Sequence, residues 1–314
     1  MTIPVIPGSE VLRTVSPADA IDRTRQAFER HARGEWVMPA KVYLDSPPHG
    51  DFRAMPARGD GLALIKWVTS FPGNVARGLP AVTGVVVLSD AVTGTELAVM
   101  DCRSITSLRT GAAAAVSALT LAAEGSASVG ILGCGVNGSW AARCLAAAGF
   151  GPGVCFDPNP VAAEAIAGEL GWGTGAREEA LGADIVATIT PGHEPVIRTG
   201  ELRPGQHVAA LGADSHAKAE LELGAIAECR LFCDEWEQAS AGGELAHAVT
   251  AGAVVREDVT QLGAVLSGRA VGRRDPSEIT LFDSTGLAIQ DLAVAQVVYE
   301  AWKRGEVEAP LVDL

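Results

Sequence analysis

The stretch Ser128–Gly149, SVGILGCGVNGSWAARCLAAAG, decides the fold of this 314-residue chain. A short apolar run leads directly into three glycines spaced GxGxxG, Gly133, Gly135 and Gly138, and an alanine-rich helical segment follows. This order is typical of a dinucleotide-binding βαβ unit, because glycine permits a tight turn and lets the backbone approach a pyrophosphate closely. The free N–H groups at the start of the helix then offer donors to the phosphates.

An acidic residue after the next predicted strand completes this pattern. In VCFDPNP (154–160), Asp157 follows the apolar run and lies twenty-two residues after Gly135. A carboxylate at this position accepts a hydrogen bond from a ribose 2′-hydroxyl and repels a 2′-phosphate. We therefore predict NAD rather than NADP as the cofactor. The alternative is a glycine-rich turn followed by an ordinary acidic residue at the end of a strand.

The regions on either side of residue 126 have different patterns. From Ser126 onward, short apolar runs alternate with helical or loop segments, which predicts a parallel sheet covered on both faces. The runs are SVGILGCG, VCFD, ADIVATIT, QHVAALGAD and RLFCDE. From Val37 to Met100, the runs KVYL, LALIKWV, AVTGVVVLS and ELAVM alternate with turn signals. This pattern predicts an antiparallel sheet of five or six strands.

Helices are predicted at Ser16–Arg33, at residues 104–125 and at Thr285–Arg304. The fold class is therefore α/β, with a Rossmann-type doubly wound parallel sheet and a smaller α+β domain whose sheet is mainly antiparallel. We place the α+β domain at residues 1–125, completed by the C-terminal helical segment 285–314, and the dinucleotide-binding domain at residues 126–284.

Composition excludes several classes of partner. Lys and Arg number 24 against 38 Asp and Glu, and the net charge of −14 disfavours binding to nucleic acid or an anionic membrane. No signal peptide or membrane-spanning run is indicated, so we expect a cytoplasmic protein. The six cysteines include no CxxC pair, and the histidines lack metal-site spacing, so no bound metal is predicted. These histidines are His31, His49, His193, His207, His216 and His247.

Lys66 has two interpretations. In GLALIKWVTSF (61–71), period-two alternation puts it on the face shared by Leu62, Leu64 and Val68. If that face is inward, Lys66 is a buried cation that needs a partner or a task. If the opposite face packs inward, Lys66 is solvated, and alternation alone does not decide between the two.

Arg109 and Asp214 also have two interpretations each. Arg109 falls near the start of the alanine-rich helix, beside Ser104 and Thr106 as candidate caps. A positive charge there opposes the helix dipole and suggests a bound anion, unless the side chain is solvated. Asp214 ends the run QHVAALGAD, at the strand end where α/β sheets bind ligands. It suits a general acid or base for amine and imine chemistry, or a helix N-cap.

Several strings taken together resemble one family. The chain is similar to the ornithine cyclodeaminase/mu-crystallin family, and within it most closely to the archaeal-type alanine dehydrogenases. The similar strings occur in the family's order and span Met38 to Glu300: MPAKVYLD, GDFRAMPA, LIKWVTSFPGN, GLPAVTG, DCRSITSLRTGAAA, ILGCG, LGADSHAKAEL and ITLFDSTGLAIQDLAVAQVVYE.

This resemblance implies a homodimer whose first domain binds substrate and builds a shared β structure, and a second domain that binds NAD(H). It implies Lys66 as the catalytic lysine, Asp214 as the acid/base, and Lys41, Arg53 and Met55 as further substrate contacts. The implied dinucleotide contacts are Arg109, Gly133, Gly135, Val136, Asn137, Gly138, Asp157, Pro158, Thr190, Gly212, Ala213, Asp214, Lys218 and Ser284.

Some positions depart from the family pattern. Lys41 stands where many cyclodeaminases have arginine, which favours the dehydrogenase branch. The loop after Asp214 reads SHAK (215–218) where a glycine-bearing PGK is usual, so His216 and Ala217 affect how Lys218 meets the cofactor. No clear acidic residue matches the one that holds the distal amine of ornithine, although Asp51 and Asp60 lie nearby in sequence.

The leading hypothesis is therefore an NAD-dependent amino-acid dehydrogenase or imine reductase that interconverts a small L-amino acid, alanine first, with its 2-oxo acid and ammonia. The alternatives are a cyclodeaminating lyase with catalytic NAD, a cyclic ketimine reductase and a crystallin-like ligand-binding protein.

Overall fold

The computed structural model describes residues 2–191, 194–215 and 218–314. The chain forms two compact units, one of residues up to Arg109 together with Leu287–Leu314, the other of Thr110–Gly286. The division falls inside helix α3 (Cys102–Leu121), earlier than the boundary placed at residue 126 from the sequence. The reason is close packing within the second unit, where a Cβ on Gly111 would lie 2.3 Å from the carbonyl oxygen of Trp140.

The first unit is built on a seven-stranded sheet in the order β15-β1-β6-β5-β4-β3-β2. The β1–β6 pair is parallel and all the other pairs are antiparallel. Five strands come from the region where a sheet was predicted, and β1 and β15 add one strand from each end of the sequence. The strands are β1 (Thr2–Ile6), β2 (Val42–Ser46), β3 (Gly50–Gly59), β4 (Leu62–Ser70), β5 (Val82–Asp90), β6 (Glu96–Asp101) and β15 (Leu311–Asp313).

The helices of the first unit have clear sequence signals. Ser16 caps α2, where its hydroxyl accepts the N–H of Asp19 at 3.1 Å, and Pro17 occupies the first turn. Gly34, with a φ of +76°, follows the end of this helix, which confirms the predicted helix within a residue at each end. The helices are α1 (Gly8–Thr14), α2 (Pro17–Ala32), the 3₁₀ segment Pro72–Arg77, the start of α3, and α11 (Ala288–Lys303).

The second unit is an eight-stranded sheet in the order β13-β12-β14-β11-β10-β7-β8-β9, and every pair is parallel. The strands are β7 (Val129–Leu132), β8 (Gly153–Phe156), β9 (Gly173–Thr174), β10 (Ile185–Thr188), β11 (His207–Ala210), β12 (Cys229–Cys233), β13 (Val259–Gln261) and β14 (Ile279–Asp283). The helices are α4 (Val136–Ala147), α5 (Pro160–Leu170), α6 (Arg177–Leu181), α7 (Leu223–Ala227), α8 (Trp236–Gly242), α9 (Ala246–Thr250) and α10 (Leu262–Leu266), with a 3₁₀ turn at Arg256–Asp258.

The strand order of the second unit fixes where a ligand can bind. From β7 the chain first winds outward through β8 and β9, then returns to build β10, β11 and β14 on the other side. The direction of winding therefore reverses between β7 and β10, and open α/β sheets bind ligands at such a switch point, beyond the carboxyl ends of the strands. The predicted fold class is confirmed.

Candidate active site and dinucleotide site

The structure decides the orientation of Lys66. On β4, Leu64, Lys66 and Val68 are 3%, 1% and 8% exposed, whereas Ile65 and Trp67 are 39% and 41% exposed. Strand alternation therefore places the lysine on the inward face, and the solvated interpretation is wrong. A buried ammonium needs an anionic or polar partner, because desolvation of an unpaired charge is costly.

That partner is the carboxylate of Asp291 on α11. Its Oδ2 lies 2.6 Å from Lys66 Nζ, and its Oδ1 lies 3.3 Å from Arg109 Nε. Lys66 Nζ also donates to Thr106 Oγ1 at 3.3 Å, so this hydroxyl serves the lysine; the first turn of α3 is instead capped by Asp101, which accepts the N–H of Ser104. One buried carboxylate thus serves two buried cations, which leaves a net charge of +1 in this group.

The pKa of Lys66 is shifted by its burial and by the charges of both neighbours. Desolvation lowers the pKa of Lys66, the charge of Asp291 opposes that shift, and the charge of Arg109 adds to it. Arg109 is only 8% exposed, so its solvated interpretation is wrong as well. Sequence reasoning missed Asp291. A signal was present, because it is an isolated carboxylate inside the apolar segment GLAIQDLAVAQVV (286–298).

The other predicted substrate residues lie near Lys66 on the sheet. Met55 on β3 is directly opposite Lys66, and Arg53 is two residues further along the same face. Arg53 is 8% exposed and donates to the Asp51 carboxylate at 2.6 and 3.1 Å. Lys41 is half-buried just before β2.

The two acidic residues near the substrate face in sequence are placed differently. Asp51 is bound to Arg53, so its charge is already compensated. Asp60 instead pairs with Arg30 and accepts from Trp36 Nε1 at 3.2 Å. Neither residue is arranged as the partner of a cationic substrate side chain.

In the glycine loop of the second unit, each of the three glycines has a different structural role. Gly133 has a φ of +100°, and a Cβ on it would lie 2.3 Å from the carbonyl oxygen of Ile189. A Cβ on Gly138 would lie 1.8 Å from the carbonyl oxygen of Gly133, so this glycine allows α4 to pack on β7. A Cβ on Gly135 would meet no atom within 4 Å, so this position opens onto space. These are the properties that pyrophosphate binding requires.

Asp157 lies at the carboxyl end of β8, beside this loop. Its carboxylate accepts the N–H of Cys134 at 2.7 Å and that of Asn159 at 2.8 Å. A depression of about 260 Å³ adjoins it, lined by Cys155, Phe156, Asp157, Pro160, Ala163, Glu164, Thr174 and Gly175. At the loop, Val136 and Pro158 are exposed and Asn137 is half-buried.

The remaining predicted dinucleotide residues follow the carboxyl ends of β10, β11 and β14. Asp214 lies 2.7 Å from Lys218 Nζ, and both side chains are partly exposed. The next described helix, α7, has Glu222 at its N-cap, and the cap interpretation of Asp214 for the segment directly after it stays a prediction. His216 and Ala217 lie outside the described residues, so their predicted influence on Lys218 stays a prediction. Gly212 and Ala213 precede Asp214, and Ser284 follows β14.

Two observations test whether an NAD molecule fits these strand ends. The hydroxyl of Ser284 is buried and has no hydrogen-bond partner among the described residues. Gly135 presents backbone to open space at the start of α4, where free N–H groups suit a phosphate. A Ser hydroxyl, open helix N–H groups and the Asp157 carboxylate match a hydroxyl- and phosphate-rich ligand, so the residues present fit the group.

The buried carboxylate of Glu220 was also not predicted from the sequence. Glu220 is fully buried and accepts from Thr188 Oγ1, from the N–H and hydroxyl of Thr190, and from the N–H of Gly212, at 2.7–2.9 Å. It therefore joins the loops that follow β10 and β11.

No group of three or more His, Cys, Asp or Glu side chains in the described parts of the chain could hold a metal ion. Over the same parts, no helix has both the length and the apolar character needed to cross a bilayer.

A sequence profile described as the ornithine cyclodeaminase/mu-crystallin family matches residues 7–306. The chain belongs to the ornithine cyclodeaminase/mu-crystallin family. Within this family, the chain is 40% identical over 303 residues to an alanine dehydrogenase of Archaeoglobus fulgidus, and the match covers 94% of each chain. It is 36% identical over 310 residues to an iminosuccinate reductase of Paracoccus denitrificans, covering 95% of this chain and 96% of that one.

A solved structure also matches the whole chain. An archaeal alanine dehydrogenase dimer with bound NAD superposes with a TM-score of 0.95 at 38% identity, covering all of both chains. The resemblance noted from sequence strings is thereby confirmed.

Proposed function

We propose that this family member is an NAD-dependent reductase of small 2-imino acids, formed from a 2-oxo acid and ammonia, and that alanine is the first product to test. The observation that carries the proposal is the buried group of Lys66, Asp291 and Arg109. One carboxylate compensates one of two cations, and the remaining positive charge is available to a substrate monocarboxylate. The named relatives that reduce or oxidise at amino-bearing carbons support the same class of chemistry.

The reaction consumes a 2-oxo acid, ammonium, a proton and NADH, and yields the amino acid, NAD⁺ and water. Bound NADH supplies the hydride that the imine carbon accepts. Lys66 Nζ holds the substrate carboxylate or carbonyl, and its charge polarises the carbonyl carbon toward attack by ammonia. Asp214 transfers protons as the carbinolamine loses water, and its carboxylate lies 2.7 Å from Lys218 Nζ.

The surroundings of Arg53 favour a substrate without a cationic side chain. Arg53 shares the inward face with Lys66. Asp51 is the nearby acid that could receive such a group, but it already accepts two hydrogen bonds from Arg53. This arrangement supports a reductase over a cyclodeaminating lyase.

NADH absorbance with purified protein, pyruvate and excess ammonium tests the proposal. Oxidation that needs both pyruvate and ammonium is the expected result, with Lys66→Ala abolishing turnover while NADH binding stays nearly intact. Substantial turnover by K66A would refute the role of the lysine. No oxidation with pyruvate, other 2-oxo acids or cyclic imines, combined with ammonia release from ornithine at constant NADH, would instead establish the lyase. Tight NADH binding with no activity on any of these would favour a ligand-binding protein.

We also propose that the chain works as a homodimer through the outward face of its first sheet. Paired residues Val42, Ala54, Trp67 and Val85 form a row across β2 to β5 on the face opposite Lys66. Val42, Trp67 and Val85 are 63%, 41% and 41% exposed. Contiguous exposed apolar side chains of this kind are typical of a protein interface, and one solved relative is a dimer.

A further inference from the structure

Glu220 is a buried carboxylate that takes no part in the lysine group of the first unit. Its backbone lies at the end of the segment 212–220, which carries Asp214 and Lys218. Its Oε2 accepts the N–H of Gly212 at 2.8 Å, so the side chain bridges the two ends of this segment. Its Oε1 accepts the N–H of Thr190 at 2.7 Å and the Thr190 hydroxyl at 2.9 Å. The same carboxylate thus holds two neighbouring loops at the carboxyl edge of the parallel sheet.

Glu220 is itself firmly held. Both oxygens of Glu244, another fully buried carboxylate, accept the backbone N–H of Glu220 at 3.0 and 2.9 Å. The Thr188 hydroxyl donates to Oε2 at 2.8 Å from within β10. Burial raises the pKa of Glu220, and these hydrogen-bond donors oppose the shift. A Cβ on Gly212 would lie 2.6 Å from Glu220 Cδ, so the position opposite the carboxylate accommodates only glycine without movement.

We propose that Glu220 is a positioning residue that sets the geometry of the Thr190 and Gly212 loops for dinucleotide binding and, through the second loop, the place of Asp214. This proposal rests on the proposed function, because it assigns those loops to the cofactor. Glu220 acts through its neighbours: four donors converge on its two oxygens, and two of them are the backbone N–H groups of Thr190 and Gly212. Replacing the carboxylate by an amide would place an N–H group against N–H and O–H donors.

Glu220→Gln is the primary variant, and Thr188→Val is a milder one that removes a single donor and keeps the side-chain shape. Asp184→Asn is the matched control, because Asp184 also accepts backbone N–H groups, those of Ala127 and Ser128, but before the first residues of β7 and β10. Asp184 therefore joins the amino ends of two strands, whereas Glu220 lies at the carboxyl ends of the strands of the same sheet. NADH titration monitored by protein fluorescence, with thermal melts for folding, compares the variants.

E220Q is expected to raise the Kd for NADH about tenfold, and T188V is expected to raise it a few-fold. D184N is expected to raise the Kd less than twofold, with a loss of thermal stability similar to that of E220Q. Amide hydrogen exchange at Thr190 and Gly212 is expected to accelerate in E220Q and not in D184N. Folded E220Q with a Kd within twofold of wild type and unchanged exchange would overturn the proposal. If E220Q does not fold, the same two measurements on T188V decide.

The two proposals fail in different ways. Wild-type protein that binds NADH but does not turn over any 2-oxo acid with ammonium contradicts the proposed reaction, while both Glu220 measurements keep their meaning. Wild-type turnover that proceeds with unchanged NADH affinity in E220Q refutes the positioning role alone.

Discussion

The carboxylate of Asp291 has no exposed surface, and its two oxygens serve Lys66 and Arg109. Asp291→Asn leaves two buried cations without a counter-charge. Because breaking a buried ion pair exposes an uncompensated charge, we expect a loss of about 3–5 kcal/mol in the free energy of unfolding. Urea denaturation at pH 7 measures this loss.

A double-mutant cycle separates charge from packing in that prediction. Lys66→Met removes one cation, so the D291N/K66M protein should recover part of the stability that D291N loses. Strict additivity of the two single changes would show that the ion pair contributes no coupling energy.

The Asp51–Arg53 pair decides how much positive charge the substrate face presents. Asp51→Asn removes the carboxylate that accepts from Arg53 and releases the guanidinium charge toward a substrate. We expect the ratio of kcat/KM for a dicarboxylic over a monocarboxylic 2-oxo acid to rise about tenfold, roughly 1.4 kcal/mol in transition-state stabilisation. Asp60→Asn is the control, because Asp60 binds Arg30 and Trp36 instead, and its ratio should stay at the wild-type value.

Within the elements, the turn between β7 and α4 offers a clean test of dinucleotide binding. Gly135→Ala adds a methyl group where no atom lies within 4 Å, at a φ of −65° that alanine adopts readily. Folding should therefore be unaffected, whereas the Kd for NADH should rise at least tenfold because the methyl group occupies the approach to the pyrophosphate.

Gly168→Ala in α5 is the matched control for that substitution. A Cβ on Gly168 would also meet no atom within 4 Å, and alanine should stabilise this helix by about 0.5–1 kcal/mol. Equal NADH affinity in G135A and wild type would argue against a phosphate site at this turn.

Elements whose signals are local could be predicted from the sequence. The cap of α2, the glycine loop and Asp157 depend on neighbouring residues, and the structure places them as expected. Lys66 could not be oriented, because alternation treats both faces of β4 alike until the covering helix is known. Arg109 and its partner Asp291 are 182 residues apart, so no local pattern links them. β3 was not singled out as a strand, since Gly50, Pro56 and Gly59 interrupt its β-forming residues.

For the assembled molecule, the outward face of the first sheet predicts the oligomeric state. Trp67 is 41% exposed and stacks on Phe52 with ring centroids 5.6 Å apart. Trp67→Glu puts a charge into the proposed interface, and we expect the dimer to dissociate to monomers in analytical ultracentrifugation. Val92→Glu, at an exposed valine in the turn after β5, should remain dimeric. A wild-type protein that sediments as a monomer would contradict the homodimer.

We expect His207 to make the stability of the folded chain depend on pH. Both ring nitrogens are bonded inside the second unit, to Ser117 Oγ at 3.0 Å and Thr280 Oγ1 at 2.9 Å. Burial lowers the pKa of His207 from 6.5 to about 3. The unfolded chain therefore binds a proton below about pH 6.5 that the folded chain takes up only near pH 3, so stability falls as pH decreases through this window.

From pH 7 to pH 5 this single group should cost about 2 kcal/mol of unfolding free energy. His207→Gln lacks the titrating ring, so its unfolding free energy should decrease less than that of the wild type between these two pH values, by about 2 kcal/mol. Urea unfolding at pH 7 and pH 5 measures both decreases. His247→Gln changes an exposed histidine and should keep the wild-type loss. Identical losses in wild type and H207Q would contradict the assignment.

The first unit is made of residues from both sides of the second, and this affects the order of events during translation. Residues 110–286 emerge from the ribosomal exit tunnel before Asp291 and β15 do. The parallel sheet can therefore fold while Lys66 still has no carboxylate to bind and β1 has no antiparallel neighbour at its outer edge. The dinucleotide half can thus be complete while the lysine half is still open to chaperones and proteases.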